Sequence, residues 1–92
     1  MSSRRSIRRD PRYERELAQI ASEHPRAEEY QRGLELALSQ MAERGNSVRG
    51  APYLVWPLHI GPHRFAVYYT YDDVSVTLIS VWKVPEERNW LG

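Results

Sequence analysis

RFAVYYTYDDVSVTLISVWKV, residues 64–84, decides how this chain folds. Its first arm alternates, with Phe65, Val67, Tyr69 and Tyr71 on one face and Arg64, Ala66, Tyr68 and Thr70 on the other. After Asp72-Asp73 the second arm sets Val74, Val76, Leu78 and Ser80 against Ser75, Thr77, Ile79 and Val81. That period of two is the signature of a β-hairpin with one buried face. A two-residue turn at Asp72-Asp73 pairs Tyr71 with Val74, Tyr69 with Val76, Val67 with Leu78 and Phe65 with Ser80. A four-residue loop in the same register is the alternative, because Asp-Asp is a poor tight turn. The end of the second arm is apolar on both faces (Leu78, Ile79, Val81, Trp82), which predicts an interior strand.

Upstream, residues 53–60 alternate again, Leu54, Trp56, Leu58 and Ile60 against Tyr53, Val55, Pro57 and His59. Pro57 has no N–H for a ladder, so this strand has one free side. Gly61-Pro62 turns it into the hairpin. Matching the two apolar faces requires an odd register sum, which places Val55, Pro57 and His59 on the face of Arg64, Tyr68 and Lys83.

Before the linker GNSVRGAP (45–52) lie two helices. Asp10-Pro11 supplies an N-cap acceptor and a proline in the first turn. Tyr13, Leu17, Ile20 and Ala21 then form one apolar stripe, and His24-Pro25 ends it. A second helix starts at Pro25 and carries the stripe Ala27, Tyr30, Leu34, Ala37, Leu38 and Met41. It closes at Arg44-Gly45, with glycine at the C-terminal end. Gly33 in its middle allows a close approach by a neighbour. The expected fold is α+β: an N-terminal antiparallel helical hairpin packed on a small antiparallel sheet of three to four strands, in one domain of residues 1–92. Residues 1–9 read as a basic arm that binds nucleic acid, as a solvated terminus, or as a short first strand around Ile7.

The chain has 92 residues, no cysteine and a net charge of +1. No disulfide framework or thiolate metal site follows. No apolar run reaches the roughly 18 residues of a membrane helix, and the start has no secretory apolar region, so a cytoplasmic protein is expected. The charge is uneven: residues 1–12 carry five arginines and one aspartate, and the other 80 residues sum to −3. Twelve of the thirteen basic residues are arginine. A GC-rich genome produces that skew as readily as selection for phosphate binding does.

His59, His63, Arg64, Tyr68 and Lys83 are candidates to cluster on the open sheet face. There they could hold a phosphate backbone or move protons on it. The bland alternative is the wet side of a half-buried sheet. Arg4, Arg5, Arg8, Arg9 and Arg12 are the electrostatic candidates for nucleic acid, and Tyr68 is a candidate to stack a base. His59 and His63 straddle a turn with no carboxylate near, so no metal is expected, and no cofactor or nucleophile motif is present. Trp90 and Leu91 in the C-terminal stretch are expected to fold back or to meet a partner.

The order of elements and the wording of the last forty residues resemble the RelE/ParE superfamily of toxins from bacterial type II toxin–antitoxin pairs. The segments that carry the resemblance are VRGAP (48–52), LVWPLHI (54–60), HRFAVYYTYDD (63–73) and VTLISVWKVPEE (76–87), within a match over roughly residues 10 to 90. The resemblance implies growth inhibition, a cognate antitoxin as partner, and ribosome-bound mRNA or gyrase as target. Self-association as a homodimer stays open. Members that cleave mRNA carry basic groups on the strand before the turn, where this chain has Val55, Pro57 and His59. Their hairpin arginine is matched by Arg64. Their arginine after the last strand and their C-terminal tyrosine fall at Val84 and Trp90. Most of the ribonuclease set is thus missing, with His59 and Lys83 as candidate catalytic substitutes beside Arg64. The family's usual first strand is weak in this sequence. The implied function is therefore a toxin-like protein that inhibits by binding. A ribosome-dependent endoribonuclease with a divergent site and an inert partner-binding module are the alternatives.

Overall fold

The computed structural model describes residues 4–85. The chain runs through β1 (Ser6–Arg9), α1 (Pro11–Glu23), α2 (Ala27–Met41), a 3-10 turn (Ala42–Arg44), β2 (Asn46–Ser47), β3 (Leu54–Ile60), β4 (His63–Tyr71) and β5 (Ser75–Lys83). Two helices accompany one mixed sheet in the order β1-β5-β4-β3-β2. Five strands replace the three or four expected, and the sheet is not purely antiparallel, since β1 runs parallel to β5. β5 lies between β1 and β4, but β1 pairs only with Ser75–Leu78, so the doubly apolar end that predicted an interior strand has no strand neighbour on that side.

Residues Ser6–Arg9 of the basic arm are therefore a strand. A single apolar residue, Ile7, lies level with Val76 and joins the margin of the core. Backbone bonds fasten the segment at three points, Arg5 to Ser39, Ser6 to Val74 and Asp10 to Leu78, each 2.9 Å. The short first strand around Ile7 is one of three readings of this segment, because four residues give almost no alternation to decide between them.

Asp10 caps α1 by accepting from the Arg12 N–H at 2.9 Å, with Pro11 in the first turn. His24, extended at φ −132°, ends α1 ahead of Pro25. The second helix begins at Ala27, two residues later than expected. Tyr13, Leu17 and Ile20 of α1 and Ala27, Leu34 and Leu38 of α2 are buried with the sheet residues Leu58, Ile60, Phe65, Val67, Tyr69, Val76, Leu78 and Val81.

Gln31 is also fully buried. Its side-chain oxygen accepts from the Tyr13 hydroxyl at 2.8 Å and its NH2 donates to Glu35 at 3.0 Å. Glu35 in turn accepts from Arg9 at 2.7 Å. The relay joins α1, α2 and β1. Among the described residues, no buried side-chain nitrogen or oxygen lacks a partner.

The β3–β4 hairpin has the expected register, Leu54 opposite Tyr69 through Ile60 opposite His63, around a tight Gly61-Pro62 turn. Gly61 takes φ +60°, a conformation glycine adopts freely. Pro57 lies beyond the two residues of β3 that β2 covers, Leu54 and Val55, so its missing N–H costs no ladder bond on that side.

The β4–β5 hairpin departs from expectation twice. Asp72 Oδ1 accepts from the N–H groups of Val74 (2.9 Å) and Ser75 (2.8 Å), which moves the turn onward by one residue. Tyr71 therefore pairs with Val76 and Tyr69 with Leu78, and Val74 is left exposed at 69%. The same two N–H bonds hold the Asp72 carboxyl below the usual carboxylate range. Farther along, the register slips between Tyr69 opposite Leu78 and Tyr68 opposite Ser80, so Ile79 is an extra residue, a β-bulge. Beyond it, Val81 faces the core opposite Val67, and Trp82 stands opposite Ala66.

The second helix ends at Met41, and a 3-10 turn over Ala42–Arg44 separates it from Gly45, which the sequence placed at the helix's C-terminal end. Gly45 is extended, and its lack of a side chain serves packing: a Cβ there would overlap the Tyr69 hydroxyl. That hydroxyl donates to the Ala42 carbonyl at 2.6 Å. Nothing approaches Gly33 within 4 Å, so the close neighbour expected there is absent among the described residues.

Gly45→Ala is expected to cost about 1–3 kcal/mol by forcing Tyr69 out of place. Tyr69→Phe should cost about 0.5–1.5 kcal/mol, through the lost bond alone. Urea unfolding at pH 7 checks both. Burial pushes Tyr69 up to about 12 and raises Tyr13 as well. Each neutral phenol therefore contributes stability that is complete below pH 10 and is lost as pH rises through the folded-state value. A denaturation series from pH 8 to 12 should be flat at first and then fall, less steeply in Tyr69→Phe.

Candidate functional site

The helices leave one sheet face open, and register fixes who stands on it. His59 is directly opposite Arg64, Val55 opposite Tyr68, and Thr70 opposite Thr77. The Val84 N–H donates to the Arg64 carbonyl at 2.9 Å, carrying the ladder one step past β5 and setting Val84 beside Arg64. Of the proposed catalytic set, His59 and Arg64 are thus brought together.

Lys83 is not. The bulge changes the parity of β5, so Lys83 stands opposite Phe65 on the helix-covered side. It lines a hollow there with Ile20, Glu23, Phe65 and Val81. Lys83 and Arg64 meet only at the rim, in a depression of about 60 Å³ with Pro62, Val84 and Pro85. His63 is also turned away. Opposite Ile60 on the core side, it packs its ring 4.7 Å from that of His24.

Four of the five N-terminal arginines divide by the parity of β1, and the fifth, Arg12, lies on α1. Arg9 is level with Leu78 on the core side and bonds Glu35. Burial pulls its guanidinium pKa down, but the hydrogen bond and charge of Glu35 outweigh that and leave it raised. Arg5 donates to the Asp72 carbonyl at 2.6 Å and lies 4.9 Å from the Tyr71 ring centre. Arg8 is level with Thr77 on the open face and is exposed. Arg4 precedes the strand and is exposed as well. So Arg5 and Arg9 hold the fold, while Arg4 and Arg8 face solvent. Trp90 and Leu91 lie outside the described residues.

One groove on the open face was not legible in the sequence. Tyr53, Tyr68, Ile79, Trp82 and Arg12 surround a groove of about 370 Å³. Tyr53 meets Tyr68 edge to face at 5.6 Å, and the Arg12 guanidinium lies 5.9 Å from the Trp82 ring centre. Trp82 is 54% exposed. Exposed rings beside a guanidinium suit a flat, partly anionic group such as an unpaired nucleotide. The bulge assembles this groove, because it turns Ser80 and Trp82, which simple alternation puts on the core side, to the face of Tyr68. No spacing in the sequence signals that.

Behind the groove, β1 ends level with Leu78, and α1 takes over the edge of β5. Glu16 Oε1 accepts from the Val81 N–H at 3.0 Å and from the Ser80 hydroxyl at 2.7 Å. Its other oxygen is 3.3 Å from Arg12 Nε. Burial alone would raise this carboxyl, but the bonds from Ser80, Val81 and Arg12 outweigh it and hold it below the usual range.

No protein-family profile matches this sequence, and a search of curated proteins returns no match. Among the described residues, no cluster of three or more histidine, aspartate or glutamate side chains could hold a metal ion. No helix among the described residues is long and apolar enough to cross a membrane.

The division of the arginines is testable. Arg9→Ala should cost about 1.5–3 kcal/mol, because it strands a part-buried, charge-assisted bond. Arg8→Ala should stay within about 0.5 kcal/mol of the parent. If the open face binds nucleic acid, Arg8→Ala should also lower the slope of log K against log salt by about 1, read by oligonucleotide titration.

Proposed function

We propose that this protein is the toxin-like member of a type II toxin–antitoxin pair, related to the RelE/ParE superfamily. On this reading it inhibits growth by binding its target through the open sheet face, with little or no RNA cleavage. The observation that carries the binding reading is the company Arg64 keeps. Its cross-strand neighbours are His59 and Val84, while Lys83 is turned to the other side. A guanidinium can clamp a phosphate by itself. Cleavage needs groups that take and give a proton as a unit, and losing several of them removes most of the rate. Valine at the position beside Arg64 can do neither.

The family resemblance gains support from β1. The superfamily's fold has a strand before its helical hairpin, and this chain places one at Ser6–Arg9 ahead of α1 and α2. We read α1 and α2 as that antiparallel hairpin on the sheet. The open face is the surface for the target, whether ribosome-bound mRNA or gyrase, and the antitoxin is the expected partner.

The test is to express the chain beside Arg64→Ala and His59→Ala, scoring growth and cleavage of ribosome-bound mRNA. The expected outcome is growth inhibition with cleavage at background, relieved by Arg64→Ala. Strong cleavage abolished by either substitution would establish the endoribonuclease instead. A chain without any growth phenotype would be the inert partner-binding module.

A further inference from the structure

We infer that Glu16 is a positioning residue for the open-face groove: through Ser80 it fixes the Trp82 ring, so that the shape of the groove depends on a carboxylate outside it. The inference rests on the reading of that face as the target-binding surface, and its chemistry follows from which groups can donate. The Trp82 indole N–H can only donate, and an ionised carboxylate can only accept. Ser80 Oγ stands between them. It receives the indole N–H of Trp82 and gives its own proton to Glu16 Oε1 at 2.7 Å. With the carboxylate ionised, the Ser80 hydroxyl has one orientation that satisfies both neighbours. Arg12 closes the ring, bonded to the second Glu16 oxygen and placed near the Trp82 ring.

The arrangement is needed because of where Trp82 stands. More than half exposed, opposite the small side chain of Ala66, it has little packing to select a rotamer. Its hydrogen bond to Ser80 and the guanidinium of Arg12 supply the selection. Protonating Glu16 gives the carboxyl a proton of its own, weakens its hold on Arg12 and frees the Ser80 hydroxyl to turn. The groove should then loosen as acid reaches Glu16, below the usual carboxylate range because of the three bonds it accepts. Other groups around Glu16 are Lys83 from β5 and Gln19, Glu23 and His24 from α1, which line the hollow on its helix side.

The experiment follows the Trp82 indole N–H by NMR, assigned with Trp82→Phe, from pH 7 to 3 in the full chain, Glu16→Gln and Ser80→Ala. Thermal unfolding confirms that each variant is folded. Ser80→Ala leaves the Glu16–Val81 bond in place and serves if Glu16→Gln does not fold. In the parent the indole signal should be downfield and should shift with a midpoint below the usual carboxylate range. Both variants should lose that titration. Binding of a single-stranded oligouridylate probe should weaken about fivefold or more in both, the scale of one mispositioned stacking ring. An indole signal and titration unchanged in a folded variant would overturn the inference. If the indole responds as expected but the parent does not bind the probe, the positioning role stands and binding of RNA by this face falls.

Discussion

A buried amide holds this fold together. Gln31 sits at the junction of α1, α2 and β1, out of reach of water, with two strong donors and an acceptor to satisfy. The Tyr13 hydroxyl donates to the amide oxygen and the amide NH2 donates to Glu35, which in turn accepts from Arg9 in one relay. Apolar stripes alone would let the helices slide along one another and along the sheet, because burial has no direction. The relay has direction: only one placement of the three elements satisfies every group. It also explains why so short a strand persists. Four residues with one apolar side chain bury too little to hold the edge of a sheet, but Arg9 anchors β1 to α2 through Glu35.

The second constraint is the bulge at Ile79. One extra residue exchanges the two faces of β5 for the rest of its length. Val81 enters the core, Lys83 leaves the face of Arg64, and Trp82 joins Tyr68. The bulge lies where β1 stops, and there Glu16 accepts the Val81 N–H that a longer β1 would have taken. Edge protection and groove geometry thus come from the same carboxylate.

These two constraints shape the open sheet face. The side of the molecule that carries Arg64 offers a cation, an imidazole and a valine in one row and an aromatic groove farther along. The N-terminal charge, which looked like a uniform basic arm, is divided between cations that hold the fold and cations free to meet a partner.

The sequence by itself determined the α+β class, both helix stripes, the Asp10 cap, the stop at His24-Pro25 and the β3–β4 register. Each of these depends on periodicity or on the local chemistry of a turn, which neighbouring residues express directly. It also placed His59 beside Arg64, since that pair follows from the Gly61-Pro62 turn. The tertiary structure alone decided the rest. β1 forms because distant partners, Leu78, Ser39 and Glu35, satisfy its backbone and its arginine. The turn shifts because the Asp72 side chain competes for N–H groups that a simple two-residue loop would leave to the ladder. The bulge, and with it the fate of Lys83 and Trp82, depends on which N–H groups of β5 have a neighbour at the sheet edge, and that neighbour is a helix some sixty residues away in the chain.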